Sequence, residues 1–166
     1  MDNRAVVGSF LACWSVQDVE MTVAHVHEDF VYALYVSETA LPYGGETRGK
    51  ENVRAVLYAI LADFDYLRYE PEIISVEGDV VRVAVEGDVV RVAVAFTYHH
   101  RRTGEDLSGT KRMVFQLADG LITRIDEYHD AAKVEAFMRL AAQRTEADEV
   151  MAPPELPKAL RRSRSR

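Results

Sequence analysis

Cysteine is nearly absent from this chain of 166 residues, and the single example is Cys13. One cysteine excludes an intramolecular disulfide and a metal site built from several thiolates, and it is typical of a reducing compartment. Cys13 lies in the apolar stretch of residues 10–14 (FLACW). That setting favours a small buried packing residue over a reactive nucleophile.

Long apolar runs and a secretion signal are also lacking. No apolar run approaches the ~18–20 residues that a membrane-spanning helix needs. The first residues, Met-Asp-Asn-Arg, do not begin the basic and apolar regions of a signal peptide. We therefore predict a soluble cytoplasmic protein with no membrane partner.

The motifs of several enzyme classes are missing. The sequence contains no glycine-rich phosphate loop and no Gly-x-Ser-x-Gly nucleophile elbow. His25 and His27 would point in different directions from a helix, and His99 and His100 would lie on opposite faces of a strand. These spacings do not suit zinc, so we predict neither a metal site nor a cofactor.

Charge is distributed unevenly along the chain. Basic residues are concentrated near the C-terminus, so the rest of the chain is more acidic than the net charge of -7 indicates. An acidic body argues against nucleic acid as a partner. Residues 1–144 are predicted to form one domain, and residues 145–166 a flexible, largely disordered basic tail.

Apolar spacing predicts a set of helices followed by a run of strands. The helices are predicted at about residues 3–14, 18–27, 50–64 and 131–143, with Asp18 capping the second. Alternating apolar residues predict strands at 30–36, 73–76, 92–100, 110–117 and 121–129, with a loop at 37–49. This order predicts an α+β domain in which helices pack on a curved antiparallel sheet and enclose an apolar pocket.

A short segment is duplicated. Residues 77–85 (EGDVVRVAV) recur without change as residues 86–94, and residues 77–79 (EGD) are a hairpin signal. An additional strand would reverse the direction of the downstream strands, so we expect one copy to loop out or form an edge flap. The second copy is expected to join the long strand. We interpret the repeat as a tandem duplication with no direct function.

The order of elements resembles the nuclear transport factor 2-like superfamily, which includes ketosteroid isomerases and SnoaL-like polyketide cyclases. The local matches are residues 17–20 (QDVE), 27–30 (HEDF), 48–53 (RGKENV) and 119–128 (DGLITRIDEY). The resemblance covers about residues 3–140. It implies a cystatin-like α+β cone with an internal pocket, and a homodimer formed through the outer face of the sheet.

The resemblance does not carry the isomerase's chemistry with it. The isomerase's oxyanion tyrosine falls at Phe10, its general-base aspartate near Leu34, and its protonated aspartate near Met113. All three positions are apolar here. The resemblance therefore implies the fold without the steroid isomerase reaction.

A set of mainly apolar residues is predicted to face the pocket, both from the resemblance and from alternation along the strands. The ligand-binding members are Trp14, Tyr32, Leu34, Leu57, Tyr98, His100, Met113, Phe115 and Ile125. An apolar wall with a few polar groups is typical of small-molecule sites.

Glu127 and His129 are the predicted catalytic pair, because residues two apart on a strand share a face. A carboxylate beside an imidazole can act as an acid/base pair. SnoaL-like cyclases use an aspartate with a nearby histidine, so the resemblance implies a similar role for this pair. The alternative is that the two side chains hydrogen-bond at the pocket mouth, or pair with Lys111 or Arg112. Asp126 is expected to face outward with Arg124, and Asp130 to cap the last helix.

These observations support three hypotheses of function. The first is an acid/base enzyme (isomerase, cyclase or hydratase) that acts on a small apolar molecule, with Tyr32, Tyr98 and His100 orienting the ligand. The second is a non-catalytic member whose pocket binds a small ligand or is filled by side chains. The third is a dimeric interaction module, whose outer sheet face would bury Thr97, His99, Arg112, Val114 and Gln116.

Overall fold

The computed structural model describes residues 2–77 and 88–151, and these form a mixed α+β domain. The helices are α1 (Asn3–Ser15), α2 (Val19–Val23), α3 (Lys50–Asp63) and α4 (Ala131–Met151). The strands are β1 (Val26–Leu34), β2 (Gly45–Arg48), β3 (Phe64–Glu77), β4 (Asp88–His100), β5 (Asp106–Ala118) and β6 (Leu121–Tyr128). The predicted fold class is confirmed.

The strands form one sheet in the order β2-β1-β6-β5-β4-β3. Neighbouring strands are antiparallel, except that β1 and β6 run parallel. Irregularities in register interrupt the β1–β6, β3–β4 and β5–β6 ladders, and such bulges bend strands. Within the described ranges, β2 and β3 are edges, so the curved sheet remains open.

The helices cover one face of the sheet because their apolar residues recur on one side. In α1 this spacing buries Val7, Phe10, Leu11 and Trp14. The Asp2 and Asp18 carboxylates accept hydrogen bonds from backbone N–H groups at the start of α1 and α2. The cap predicted at Asp18 is therefore confirmed.

The structure corrects the prediction around α2 and β2. The second helix ends at Val23, and His27 lies in β1, which begins at Val26. The predicted loop at 37–49 contains the short strand β2, which pairs with β1. β2 is a four-residue edge strand with two exposed positions, so the sequence there has no apolar alternation to reveal it.

β3 is much longer than predicted, since it begins at Phe64 directly after α3 rather than at residue 73. Register shifts between Tyr66 and Arg68, and between Ile73 and Ser75, break its apolar alternation. As a consequence Tyr66 and Tyr69, which are three residues apart, both pack against the core.

The first copy of the duplicated segment and the predicted hairpin lie outside the described residues, except for Glu77. The expected loop or edge flap therefore also falls outside them. β4 begins at Asp88, so the second copy joins the long strand as expected. β3 and β4 are direct antiparallel neighbours, with Glu77 opposite Val89. The downstream strands therefore keep their antiparallel order.

α4 extends beyond its predicted end, and residues 145–151 of the segment predicted to be flexible are helical. This stretch (TEADEVM) is rich in helix-forming residues, and the first proline follows at Pro153. The remainder of the predicted tail, residues 152–166, lies outside the described residues. None of the described helices is long and apolar enough to cross a membrane.

Candidate functional site

A cavity of about 60 Å³ lies between the helices and the sheet. Its wall is mainly apolar and aromatic, with contributions from α1, α3 and strands β1 and β3–β6. Among the residues predicted for the site, those that line it are Trp14, Tyr32, Leu34, Leu57, Tyr98, Met113, Ile125, Glu127 and His129.

Phe115 and His100 lie outside this wall. Phe115 is fully buried and packs edge-on against Phe10, with 5.5 Å between ring centroids, so it forms part of the core. His100 lies at the end of β4, where its Nδ1 is 2.8 Å from Thr103 Oγ1. Burial lowers the pKa of His100, and its side chain borders a separate cleft beside α4.

The polar part of the cavity wall is a chain of three side chains, Lys111, Glu127 and His129. Lys111 Nζ donates to Glu127 Oε1 at 2.9 Å, and His129 Nε2 lies 2.9 Å from Glu127 Oε2. The side chains of Lys111 and Glu127 are 2% and 6% exposed, and that of His129 is 8% exposed. Each oxygen of one buried carboxylate therefore has its own partner.

Strand register brings these residues together. Met113 of β5 is opposite Glu127 of β6, and Lys111 shares the inward face of β5 with Met113. His129 follows the end of β6 on the same side as Glu127. Lys111 was not among the predicted site residues, but its contact with Glu127 confirms the alternative pairing predicted from the sequence. A lysine on an otherwise apolar strand face was a usable signal, since unpaired lysines are rarely buried.

Lys111 and Glu127 fix each other's charge. Burial would raise the pKa of Glu127, but the Lys111 charge and the hydrogen bond with His129 outweigh it and hold that pKa far below its ordinary range. Burial would lower the pKa of Lys111, but the Glu127 carboxylate outweighs it, and the Lys111 pKa is raised. Glu127 is therefore an anion and Lys111 a cation in the folded protein at neutral pH.

Two tyrosine rings lie against the Lys111 ammonium, and a third tyrosine stacks on one of them. Lys111 Nζ lies 5.1 Å from the centroid of the Tyr69 ring and 5.7 Å from that of Tyr98, distances at which a cation is attracted to a ring face. Tyr66 stacks on Tyr98 with 4.2 Å between centroids. Tyr66 and Tyr69 were missed from the sequence because the bulge in β3 hides their common face.

Burial keeps these phenols protonated. It raises the pKa of Tyr69 to about 12 despite the nearby Lys111 charge. It also raises the pKa of Tyr66 and Tyr98 well above the ordinary value. Burial and the Glu127 carboxylate raise the pKa of Tyr32 in the same way. Each hydroxyl is therefore available as a hydrogen-bond donor.

The Tyr98 hydroxyl is buried and has no hydrogen-bond partner among the described residues. Tyr69, by contrast, places its hydroxyl 3.8 Å from Met113 Sδ. An orphan hydroxyl in the wall of a cavity is rare, because most buried polar groups in proteins are hydrogen-bonded.

His129 lies in a thin part of the cavity wall. Leu107, His129 and Val134 line the cavity and also line an outer depression of about 220 Å³. Val134 belongs to the first turns of α4. The imidazole of His129 therefore borders both the cavity and the outer depression.

The neighbouring carboxylates are engaged elsewhere. Asp126 accepts hydrogen bonds from Arg124 and from the Tyr35 hydroxyl, as expected for a residue that faces away from the cavity with Arg124. Asp130 accepts from the backbone N–H of Lys133, which confirms its role as a cap of α4. In the ranges 2–77 and 88–151, no group of three His, Cys, Asp or Glu side chains is placed to hold a metal ion.

Comparison with known proteins identifies the family. A family model described as a SnoaL-like domain matches residues 7–125. No curated protein matches the sequence.

Several solved structures share the fold. TerC co-crystallised with polyporic acid is 17% identical, with a TM-score of 0.67, and the match covers 82% of this chain and 98% of that chain. An NTF2-like protein from Burkholderia xenovorans is 20% identical, with a TM-score of 0.64, over 81% of this chain and 93% of that chain.

A protein with a ketosteroid isomerase-like fold from Catenulispora acidiphila, in complex with trimethylamine, is 14% identical. Its TM-score is 0.59, over 78% of this chain and 88% of that chain. At these identities the likeness establishes the fold, in agreement with the resemblance read from the sequence. The match of the family model over most of the chain shows that the protein belongs to the SnoaL-like domain family.

Proposed function

We propose that this protein binds a small, largely apolar molecule in the cavity and catalyses a proton transfer on it, as an isomerase, cyclase or hydratase. His129 is the acid/base group in this proposal. The observation that carries it is the buried Lys111–Glu127–His129 chain in an otherwise apolar wall.

Glu127 serves His129 rather than the ligand. Both of its oxygens are occupied, and an ionised carboxylate can only accept hydrogen bonds, so His129 Nε2 must be the donor. In the neutral imidazole the lone pair is then on Nδ1, which makes no hydrogen bond within the described ranges. Glu127 is therefore a positioning residue that fixes the tautomer of the base.

The proposed step moves one proton. His129 Nδ1 removes a proton from a carbon of the ligand, the electron pair of the broken C–H bond shifts into the ligand, and the imidazolium returns the proton to another atom. The imidazolium forms beside the Glu127 carboxylate, which stabilises its charge.

The size and chemistry of the cavity support a small ligand. Its volume of about 60 Å³ is less than that of the ~150 Å³ apolar cavity known to bind benzene, so a ligand of benzene's size, such as a five-membered cyclic ketone, binds with some displacement of side chains. Proteins of the same fold have been crystallised with polyporic acid and with trimethylamine, which supports small-molecule binding here.

Deuterium exchange into cyclopentanone tests the proposal, since this small molecule carries C–H protons that a base can remove. We expect the wild-type protein to accelerate exchange in D₂O, and His129→Gln to reduce the protein-dependent rate by roughly 10²–10⁴-fold. His99→Gln is the matched control, because His99 pairs with Asp106 away from the cavity. An equal rate for His129→Gln and wild type would contradict the assignment.

Glu127→Gln tests whether Glu127 positions the His129 imidazole or only supports the structure. The amide can donate as well as accept, so it no longer selects one imidazole tautomer. We expect a lower exchange rate with an altered pH profile, but unchanged affinity for the isosteric hydrocarbon methylenecyclopentane. A loss of affinity with no change in pH profile would show that Glu127 is only structural.

A non-catalytic ligand-binding protein is the second candidate. Glu127 is ionised and has a hydrogen-bond partner at each oxygen, and such a carboxylate is itself a poor base. This state favours a binding function without catalysis. The outcome that supports this candidate is binding of both probes without any exchange that depends on His129.

A further inference from the structure

Two buried hydrogen-bond donors of the cavity wall, on Lys111 and Tyr98, are not fully used by the described residues. An ammonium carries three N–H donors, and Glu127 Oε1 accepts one from Lys111. The rings of Tyr69 and Tyr98 pack near the same ammonium. The Tyr98 hydroxyl adds another donor with no partner among the described residues. Glu127 Oε1 accepts from Lys111 and Oε2 lies beside His129 Nε2, and neither oxygen bonds the Tyr98 hydroxyl.

A buried donor without an acceptor is unfavourable, and the cost is larger in an apolar site than at the surface. Phenylalanine at position 98 would avoid this cost and preserve the stacking on Tyr66. The Tyr98 hydroxyl has no acceptor among the described residues. Its presence is explained if the acceptor belongs to a ligand.

We propose that the Tyr98 hydroxyl and the Lys111 ammonium form a donor pair that binds an acceptor oxygen of a small neutral ligand, a carbonyl compound with an apolar remainder. This inference rests on the proposed function and names the class of molecule for the same cavity. The pair belongs to β4 and β5, whereas the positions that the resemblance assigns to the isomerase donors are the apolar Phe10 and Met113.

The charge of the site favours a neutral ligand over an anion. Lys111 and Glu127 are a buried cation and a buried anion that compensate each other. A carboxylate ligand would add a second negative charge beside Glu127 in an apolar wall, which is costly. A carbonyl oxygen accepts from both donors without adding charge.

The donor pair shares its cavity with His129. Lys111 and His129 are bonded to the two oxygens of one carboxylate. A carbonyl oxygen held by Lys111 and Tyr98 therefore lies in the cavity that His129 also lines.

We test the donor pair with two probes, cyclopentanone and methylenecyclopentane. They have the same shape, but only the ketone has an acceptor oxygen. Ligand-observed NMR gives the affinities, and the ¹³C shift of labelled carbonyl reports the hydrogen bonds. We expect wild type to prefer the ketone, and Tyr98→Phe to reduce that preference by between about twofold and tenfold and to move the carbonyl shift towards its value in an apolar solvent.

The variant removes an unpaired hydroxyl, so it should fold with an unchanged or higher melting temperature. Tyr58→Phe is the matched control, because the exposed Tyr58 hydroxyl bonds Glu20 away from the cavity, and it should leave the preference intact.

Two results would overturn the donor pair alone: equal affinity of wild type for both probes, or a ketone preference that survives Tyr98→Phe. Failure of both probes to bind wild type would overturn both the donor pair and the proposed binding function. A ketone preference that depends on Tyr98, without exchange that depends on His129, would support the donor pair and contradict the proposed catalysis.

Discussion

Glu127 and Lys111 are ionised in a setting where each charge alone would be strongly unfavourable. Removing two charges from water costs several kcal/mol per ion, and their mutual attraction repays it only with good geometry. Here the geometry is a 2.9 Å contact supported by His129 and by the aromatic rings around Lys111. Apolar residues would fill the same space without that cost, which is consistent with a functional reason for the charges.

Substitution of Lys111 by methionine tests this energetic account. Lys111→Met leaves Glu127 as an uncompensated buried anion, so we expect the free energy of unfolding to fall by about 3–5 kcal/mol. The double variant Lys111→Met/Glu127→Leu removes both charges and should recover most of that loss. Urea denaturation measures both values. A double variant no more stable than Lys111→Met would contradict the account.

The depressed pKa of Glu127 predicts a specific dependence of stability on acid. Its pKa in the folded protein lies below the ordinary value of 4.5, so its stabilising contribution is present above pH 4.5 and is lost as the pH falls further towards the folded pKa. This group adds a slope of up to about 1.4 kcal/mol per pH unit in that window. Urea denaturation across the window should show a steeper loss for wild type than for Lys111→Met/Glu127→Leu. Parallel curves would refute the assignment.

Among the elements, β3 and the first turns of α4 shape the cavity. Sequence patterns place some residues of the cavity wall and miss others. Regular alternation along β4 and β5 is enough to place Tyr98, Lys111 and Met113 on the inward face. Tyr66 and Tyr69 could not be placed, because a bulge changes the period where no glycine or proline marks it. The Lys111–Glu127 contact also depends on the β5–β6 register, which sequence alternation leaves open.

Val134 of α4 covers the cavity next to His129, so its truncation should speed ligand exchange. We expect Val134→Ala to lose about 1–3 kcal/mol of stability and to raise the association and dissociation rates of methylenecyclopentane, measured by NMR line shapes. Val6→Ala is the control, because Val6 is equally buried in α1 but does not line the cavity. Equal rates in both variants would place the ligand's entry elsewhere.

For the whole molecule, the order and class of the main elements followed from the sequence, because apolar periods of 3.6 and 2 reflect burial on one face. The short strand β2, with its partly exposed residues, carried no such signal. The cavity wall was largely anticipated, whereas the donors around Lys111 depend on tertiary register. β3 and β4 are also direct neighbours although residues 77–85 are duplicated where the two strands follow each other in sequence.

Deletion of residues 77–85 tests whether the duplication is dispensable. The deletion joins Val76 to Glu86, so that Glu86 replaces Glu77 at the end of β3, and it removes no residue of β4, which begins at Asp88. It shortens the connection between the paired residues Val76 and Val90 from thirteen residues to four, a change worth about 1 kcal/mol in loop-closure entropy. We expect stability within about 1 kcal/mol of wild type, measured by thermal unfolding, and unchanged affinity for cyclopentanone. Loss of folding would show that the additional copy is structural.

The central claim is that Glu127 holds His129 in the tautomer that leaves Nδ1 as the base. The ring ¹⁵N–¹H NMR spectrum of His129 at about pH 8, where imidazole is ordinarily neutral, measures this directly. We predict a protonated Nε2 and a bare Nδ1 in wild type, and a mixture of tautomers in Glu127→Gln. A proton on Nδ1 in the wild-type protein, or the same spectrum in both proteins, would contradict the account.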